Sequence, residues 1–134
     1  MTDHDRDHAG MQVRREVLGD EHVDRATATA TALTAPFQAY ITRAAWGEVW
    51  TRPELDRRTR SMLTVALLAA LGHERELAMH ARAALRNGVT PVEMAEVLMH
   101  TAVYAGVPAA HAALAVVQET LAEMGVTEAL VEER

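Results

Sequence analysis

The stretch Thr90-Pro91-Val92-Glu93-Met94-Ala95-Glu96-Val97-Leu98-Met99-His100-Thr101-Ala102-Val103-Tyr104 opens with a complete helix start. Thr90 supplies an N-cap hydroxyl. Pro91 stands at the first helical position, where its missing N–H is no loss, and Glu93 reaches back to close a capping box. Met94, Val97, Leu98, Thr101, Tyr104 and Ala105 then fall on one face at helical spacing. The same period recurs in both directions. Downstream, Ala105-Gly106-Val107-Pro108 breaks the chain into a last long helix with Ala110, Leu114, Val117, Leu121 and Met124 as its apolar stripe. Upstream, a helix from His73 to Asn87 ends in Arg86-Asn87-Gly88, with cations near its C-terminus and a glycine for the left-handed cap. Before it lies a strongly apolar helix from Arg57 to Leu71, with Asp56 as N-cap and Gly72 as stop. Its composition predicts burial nearly all round.

The first third of the chain is patterned in the same way. One helix runs from Asp5 to Leu18 and stops at Gly19-Asp20, and a shorter one covers Glu21 to Ala28. The Thr/Ala run from Ala26 to Thr34 has little pattern. Pro36 opens a third helix that carries Phe37, Tyr40, Ile41 and Ala44 on one face and ends near Trp50, before Arg52-Pro53. No stretch alternates with period two, so the expected class is all-α, a bundle of six to seven helices. At 134 residues and 49% hydrophobic content the expectation is a single domain, 1–134. The abundant alanines let helices approach closely but leave little apolar area per helix, which predicts packing against copies of itself as a homo-oligomer.

Composition restricts the chemistry. Met62 to Leu71, the longest apolar run, with Thr64 its one interruption, is about half of a bilayer span, and Met1 to Asp7 lacks the apolar core of a signal peptide, so a soluble, cytoplasmic protein with no membrane partner is expected. A formal charge of -6 argues against a general nucleic-acid surface while leaving room for a local basic pocket. There is no cysteine, which removes thiolate nucleophiles, disulfide cycling and thiol-ligated zinc. All thirteen cations are arginine, and without a lysine amine neither a Schiff base nor a pyridoxal site can form.

Three groups remain as candidates for chemistry. Arg52, Arg57, Arg58 and Arg60 place four of the thirteen cations within nine residues, three of them in the first turn of a helix, where the macrodipole disfavours positive charge. Such arginines either hold a carboxylate or phosphate together with the free N–H groups of the helix start, or pair with Glu48, Glu54, Asp56 or a neighbouring subunit's acids. His80 lies mid-helix one turn after Glu76. Three readings of it stand: a surface or satisfied core histidine, a proton-transfer residue oriented by Glu76, or a metal ligand with His73 and Glu76. Glu48 stands between Trp46 and Trp50, the only tryptophans of the chain. Walled off by those rings, it would hold a proton near neutral pH; otherwise it is the counter-ion of Arg52 or Arg43.

These same residues carry a resemblance. Val13-Arg14-Arg15-Glu16-Val17-Leu18-Gly19-Asp20, Ala45-Trp46-Gly47-Glu48-Val49-Trp50-Thr51-Arg52-Pro53, Leu55-Asp56-Arg57-Arg58-Thr59-Arg60-Ser61, Glu76-Leu77-Ala78-Met79-His80 and Tyr104-Ala105-Gly106-Val107-Pro108-Ala109-Ala110 resemble the carboxymuconolactone decarboxylase family. That family belongs to the AhpD-like superfamily, whose members commonly carry CxxCxxxH where this chain has His73 to His80. Only the histidine is kept, and the missing cysteines exclude thiol peroxidase-reductase activity. The resemblance implies an AhpD-like all-α fold in a trimer or hexamer, acting on a small dicarboxylate lactone with no metal or organic cofactor. The implied reaction converts 4-carboxymuconolactone to 3-oxoadipate enol-lactone and carbon dioxide, in the protocatechuate branch of the β-ketoadipate pathway. On this reading His80, Glu48 and Glu76 are catalytic, and Arg52, Arg58, Arg60, Trp46 and Trp50 bind substrate. The chain departs from the family pattern at His111, where an asparagine often follows Pro-Ala-Ala. A relative acting on another lactone or acid, or a non-catalytic helical oligomer, are the competing readings.

Overall fold

The computed structural model describes residues 2–126, whose regular elements are all helical, with no strand among them. The helices are α1 (Asp3–Leu18), α2 (Asp20–Ala28), α3 (Ala35–Ile41), α4 (Arg57–Leu71), α5 (Glu74–Arg86), α6 (Pro91–Ala105) and α7 (Val107–Glu123), with a π-helical segment, Thr42–Val49, continuing α3. None is long and apolar enough to cross a membrane. The chain divides into two compact units, Met1–Arg57 and Arg58–Arg134.

In the first unit α1 starts on a capping box. Asp5 N–H donates to Thr2 Oγ1 at 3.1 Å and Thr2 N–H to Asp5 Oδ2 at 3.0 Å, two residues earlier than the sequence pattern places the start. Its buried face is Gly10, Val13, Arg14, Val17 and Leu18. This face packs along the π-helical segment, and two glycines make the approach possible. A β-carbon at Gly47 would lie 2.6 Å from the Arg6 carbonyl oxygen, and one at Gly10 would collide with that of Thr42. The expected continuous helix from Pro36 to Trp50 is therefore corrected. Its second half is wound wider, with Trp50 N–H donating to the Ala45 carbonyl five residues back at 2.9 Å. The predicted apolar face is corrected too, since Phe37 and Tyr40 are exposed, while Thr42, Trp46 and Gly47 are the buried residues.

The second unit has the larger apolar core, Val65, Ala69, Leu77, Ala81, Ala84, Met94, Leu98, Ala113, Val117 and Leu121 among its members, drawn from α4 to α7. The capping box read at Thr90 is present, Glu93 N–H donating to Thr90 Oγ1 at 3.1 Å and Thr90 N–H to Glu93 Oε1 at 2.9 Å. The expectation for the face of α4 fails and those for α6 and α7 hold only in part. α4 is buried only along Ser61, Val65 and Ala69, with Leu63, Leu67 and Leu71 exposed. On α6 Met94, Leu98 and Thr101 are buried but Tyr104 and Ala105 are exposed. On α7 the stripe is Ala110, Ala113, Val117, Thr120 and Leu121, and Leu114 and Met124 lie outside it. Counting apolar residues identified the helices, but small residues rather than the largest ones line several of the contacts. Alanine permits the closest helix approach, and on α4 Leu63, Leu67 and Leu71 are left on the far side.

Candidate active site

The residues singled out in the sequence fall in both units. Trp46, Glu48, Trp50 and Arg52 belong to the first, and Arg58, Arg60, Glu76 and His80 to the second.

Trp46 is buried and Trp50 half-buried, their ring centroids 5.0 Å apart at an interplanar angle of 35°. The wide turn brings the rings together, and Glu48 is not enclosed between them. Its side chain is 52% exposed and faces Arg6, whose Nε lies 3.3 Å from Oε1. The expected counter-ions Arg43 and Arg52 are paired elsewhere, Arg43 with Asp7 at 3.3 Å and Arg52 with Glu54 at 3.4 Å. Two further arginines of the cluster meet acids, Arg57 with Glu16 at 2.9 Å and Arg58 with Glu93. Glu93 thus caps α6 with one oxygen and fixes Arg58 at the start of α4 with the other. The stem of Arg58 runs past Gly88, and Arg60, one turn from Thr64, is half-buried. Asn87 Nδ2 donates to the buried Ser61 Oγ at 3.0 Å and ties the end of α5 to α4.

Between α4 and α6 a hollow of about 440 Å³ is walled by Met62, Leu63, Ala66 and Val97, with Thr59, Glu93, Glu96 and His100 supplying its polar groups. Its volume lies within the range of small-molecule sites, and the Arg58–Glu93 pair stands at its edge. His80 is not on its wall; it is partly buried in α5, with the exposed Glu76 one turn before it. His73 stands at the N-cap position of α5 without a side-chain cap hydrogen bond, and among the described residues no group of three or more histidine or acidic side chains is placed to hold a metal ion. The arrangement offers guanidinium groups that can exchange a surface carboxylate for a ligand carboxylate, and an imidazole that can carry a proton.

One charged residue escaped the sequence reading of the site. Arg14 is buried on the apolar face of α1, donating from Nη2 to Gln38 Oε1 at 2.8 Å and from Nη1 to Thr42 Oγ1 at 3.4 Å. The signal was an arginine inside the stripe Gly10, Val13, Val17.

Comparison with known proteins bears on what this arrangement does. The carboxymuconolactone decarboxylase family model matches residues 35–119. The chain belongs to this family. Among its similar relatives, the 4-carboxymuconolactone decarboxylase of Acinetobacter baylyi is 47% identical over 94% of each chain. The nitrosuccinic acid decarboxylase of Metarhizium robertsii is 46% identical over 86% of this chain and 80% of its own. An uncharacterised 15.0 kDa protein of Paracoccus denitrificans is 32% identical over 77% of each. The family match begins at Ala35 and ends at Glu119, so it takes in both tryptophans, the arginine cluster and His80, while Arg14 lies before it.

Proposed function

We propose that the chain is a cofactor-independent carboxy-lyase that converts 4-carboxymuconolactone to 3-oxoadipate enol-lactone and carbon dioxide. The observation that carries this reading is the 47% identity, sustained over 94% of the chain, to a protein named for that reaction. The substrate needs no external electron sink. When the bond from the ring carbon to its carboxylate breaks, the electron pair moves through the ring double bond onto the lactone carbonyl oxygen. A proton added at the ring carbon beside that carbonyl then gives the product lactone.

The protein has three tasks: to hold a dianion, to stabilise the developing oxyanion and to deliver one proton. Arg52, Arg58 and Arg60 take the first two in this reading, with Trp46 and Trp50 shaping the site. His80 is the proton donor and Glu76 orients it. Glu48, paired with Arg6, is the second candidate for carrying charge or the proton. The single-domain organisation, a homo-oligomeric trimer or hexamer with the AhpD-like fold, and action in the cytoplasm belong to the same proposal.

A second reading has its own support in the 46% identity to a nitrosuccinic acid decarboxylase. That acid also carries its own acceptor, the nitro group, so the same tasks would serve it. One assay separates the two. Purified protein is given enzymatically generated 4-carboxymuconolactone, and in parallel nitrosuccinic acid, while ultraviolet loss of substrate and release of carbon dioxide are followed. Turnover of the lactone at a kcat/KM above that for nitrosuccinic acid is expected. No carbon dioxide from the lactone would reject the proposal.

A further inference from the structure

The first unit contains a charge that none of its acids balances. Arg14 is only 7% exposed, and its Nε is buried with no acceptor. Its two hydrogen bonds go to an amide and a hydroxyl, both neutral, which leaves further N–H donors of its five unused. Among the described residues no carboxylate forms an ion pair with it. A buried cation without a counter-ion is expensive, and such residues are otherwise kept where a ligand supplies the missing charge.

Arg14 forms part of the wall of a cavity of about 270 Å³ bounded by α1, the end of α2, α3 and the π-helical segment. Gln38 and Thr42 lie beside it there, and Met11 with several alanines supplies the apolar wall, Thr27 adding one further hydroxyl. Asp7, the acid on that wall, is bound to Arg43.

We propose that this cavity is a binding site for a small carboxylate, held by the guanidinium of Arg14 with its apolar body against Met11 and the alanines. Three observations define the ligand. The planar fork of arginine suits a carboxylate. A single guanidinium with Asp7 close by favours one negative charge over two, so a carboxylate is preferred to a phosphate. The volume, at the low end for ligand pockets, fits a compact body of a few carbons. The carboxylate belongs either to the diacid substrate proposed above or to a separate small acid; the site itself does not depend on which.

The test uses the full chain with its methionine methyl groups labelled with carbon-13, titrated with butyrate against chloride at equal ionic strength. The Met11 methyl resonance is expected to shift saturably with butyrate and not with chloride. Arg14→Gln should weaken binding by about ten- to a hundredfold, the loss of one charge-assisted hydrogen bond. Ala39→Leu fills the cavity and leaves Arg14 in place, so binding should vanish while helicity by circular dichroism and particle size stay at wild-type values. An unmoved Met11 resonance in the wild type, or wild-type affinity in a folded Ala39→Leu chain, overturns the proposal. Butyrate raising KM without changing kcat assigns the site to the substrate's carboxylate, and an unchanged KM at saturating butyrate assigns it to a separate acid. The binding readout needs no turnover, so an inactive protein would refute the reaction and leave this site standing or falling by itself.

Discussion

Arg58 and Glu93 form an ion pair whose side chains are 40% and 32% exposed. Pairs in such positions contribute about 0 to 1 kcal/mol, whereas a charge-assisted hydrogen bond to a held carboxylate is worth about 1.5 to 3 kcal/mol. If Arg58 binds substrate as proposed, a substrate carboxylate would outcompete Glu93, and the acid would keep the guanidinium in place while the site is empty. Arg58→Lys loses the fork but not the charge, so KM should rise about ten- to a hundredfold, with a smaller fall in kcat for its share in stabilising the oxyanion. His80→Gln should instead lower kcat by about 10² to 10⁴, the range for a removed general acid, with the fold intact by circular dichroism. Wild-type turnover in that variant would move the proton-donor role to Glu48. His22 allows a test of a different kind. Burial first, and then the charges of Arg14 and Arg25, hold its pKa below the ordinary 6.5. The unfolded chain thus takes up a proton that the folded chain resists, and stability present above about pH 6.5 is lost as pH falls through that range. Between about pH 7 and 5, above the region where Asp3 and Asp5 titrate, the urea midpoint should fall less steeply in His22→Gln than in the wild type. Equal slopes would show that His22 does not contribute. The arginine cluster and His80 were visible in the sequence because charge and spacing are local. Arg14 was not singled out, because its meaning depends on Gln38 and Thr42, more than twenty residues away in sequence.

Helices were legible wherever their ends are set by local chemistry. Thr90, Pro91 and Glu93 place the start of α6, and Gly88 and Gly106, both at positive φ, mark stops that only glycine adopts without strain. The π-helical winding of Thr42–Val49 could not be read this way, since it goes with the tertiary approach of Gly10 and Gly47. An alanine at Gly47 would drive its β-carbon into the backbone of Arg6, and one at Gly10 into that of Thr42, neither of which can rotate away. Gly10→Ala and Gly47→Ala should each cost about 1 to 3 kcal/mol or more, the range for overpacking. Thr90→Ala, which removes one cap, should cost about 0.5 to 2 kcal/mol. Denaturant unfolding of the three variants provides the comparison. If the glycine variants prove as stable as wild type, α1 and the π-helical segment are not in the contact described.

The described residues bury mostly alanine and valine and leave many of the larger side chains outside. Leu63, Leu67 and Leu71 recur every four residues along one side of α4, and Met99, Val103, Tyr104 and Val107 surround the break between α6 and α7. Exposures of 61% for Leu67 and 79% for Tyr104 are those of the isolated chain. Apolar rows of this kind are normally covered, and a second copy of the same chain is the cover the sequence reading predicts. The expectation is an assembly at micromolar concentration by light scattering, and a monodisperse monomer would reject it. Leu67→Arg tests the row on α4 directly. Burying a leucine side chain contributes about 1.5 to 3 kcal/mol, and each interface in a symmetric assembly would lose that contribution and gain an unpaired guanidinium. Because Leu67 is absent from the buried core of its own unit, the variant should keep its helicity and thermal transition while its mass falls to that of a smaller species. An unchanged mass would place the contact between copies on another face, with Val103 and Tyr104 the next positions to substitute.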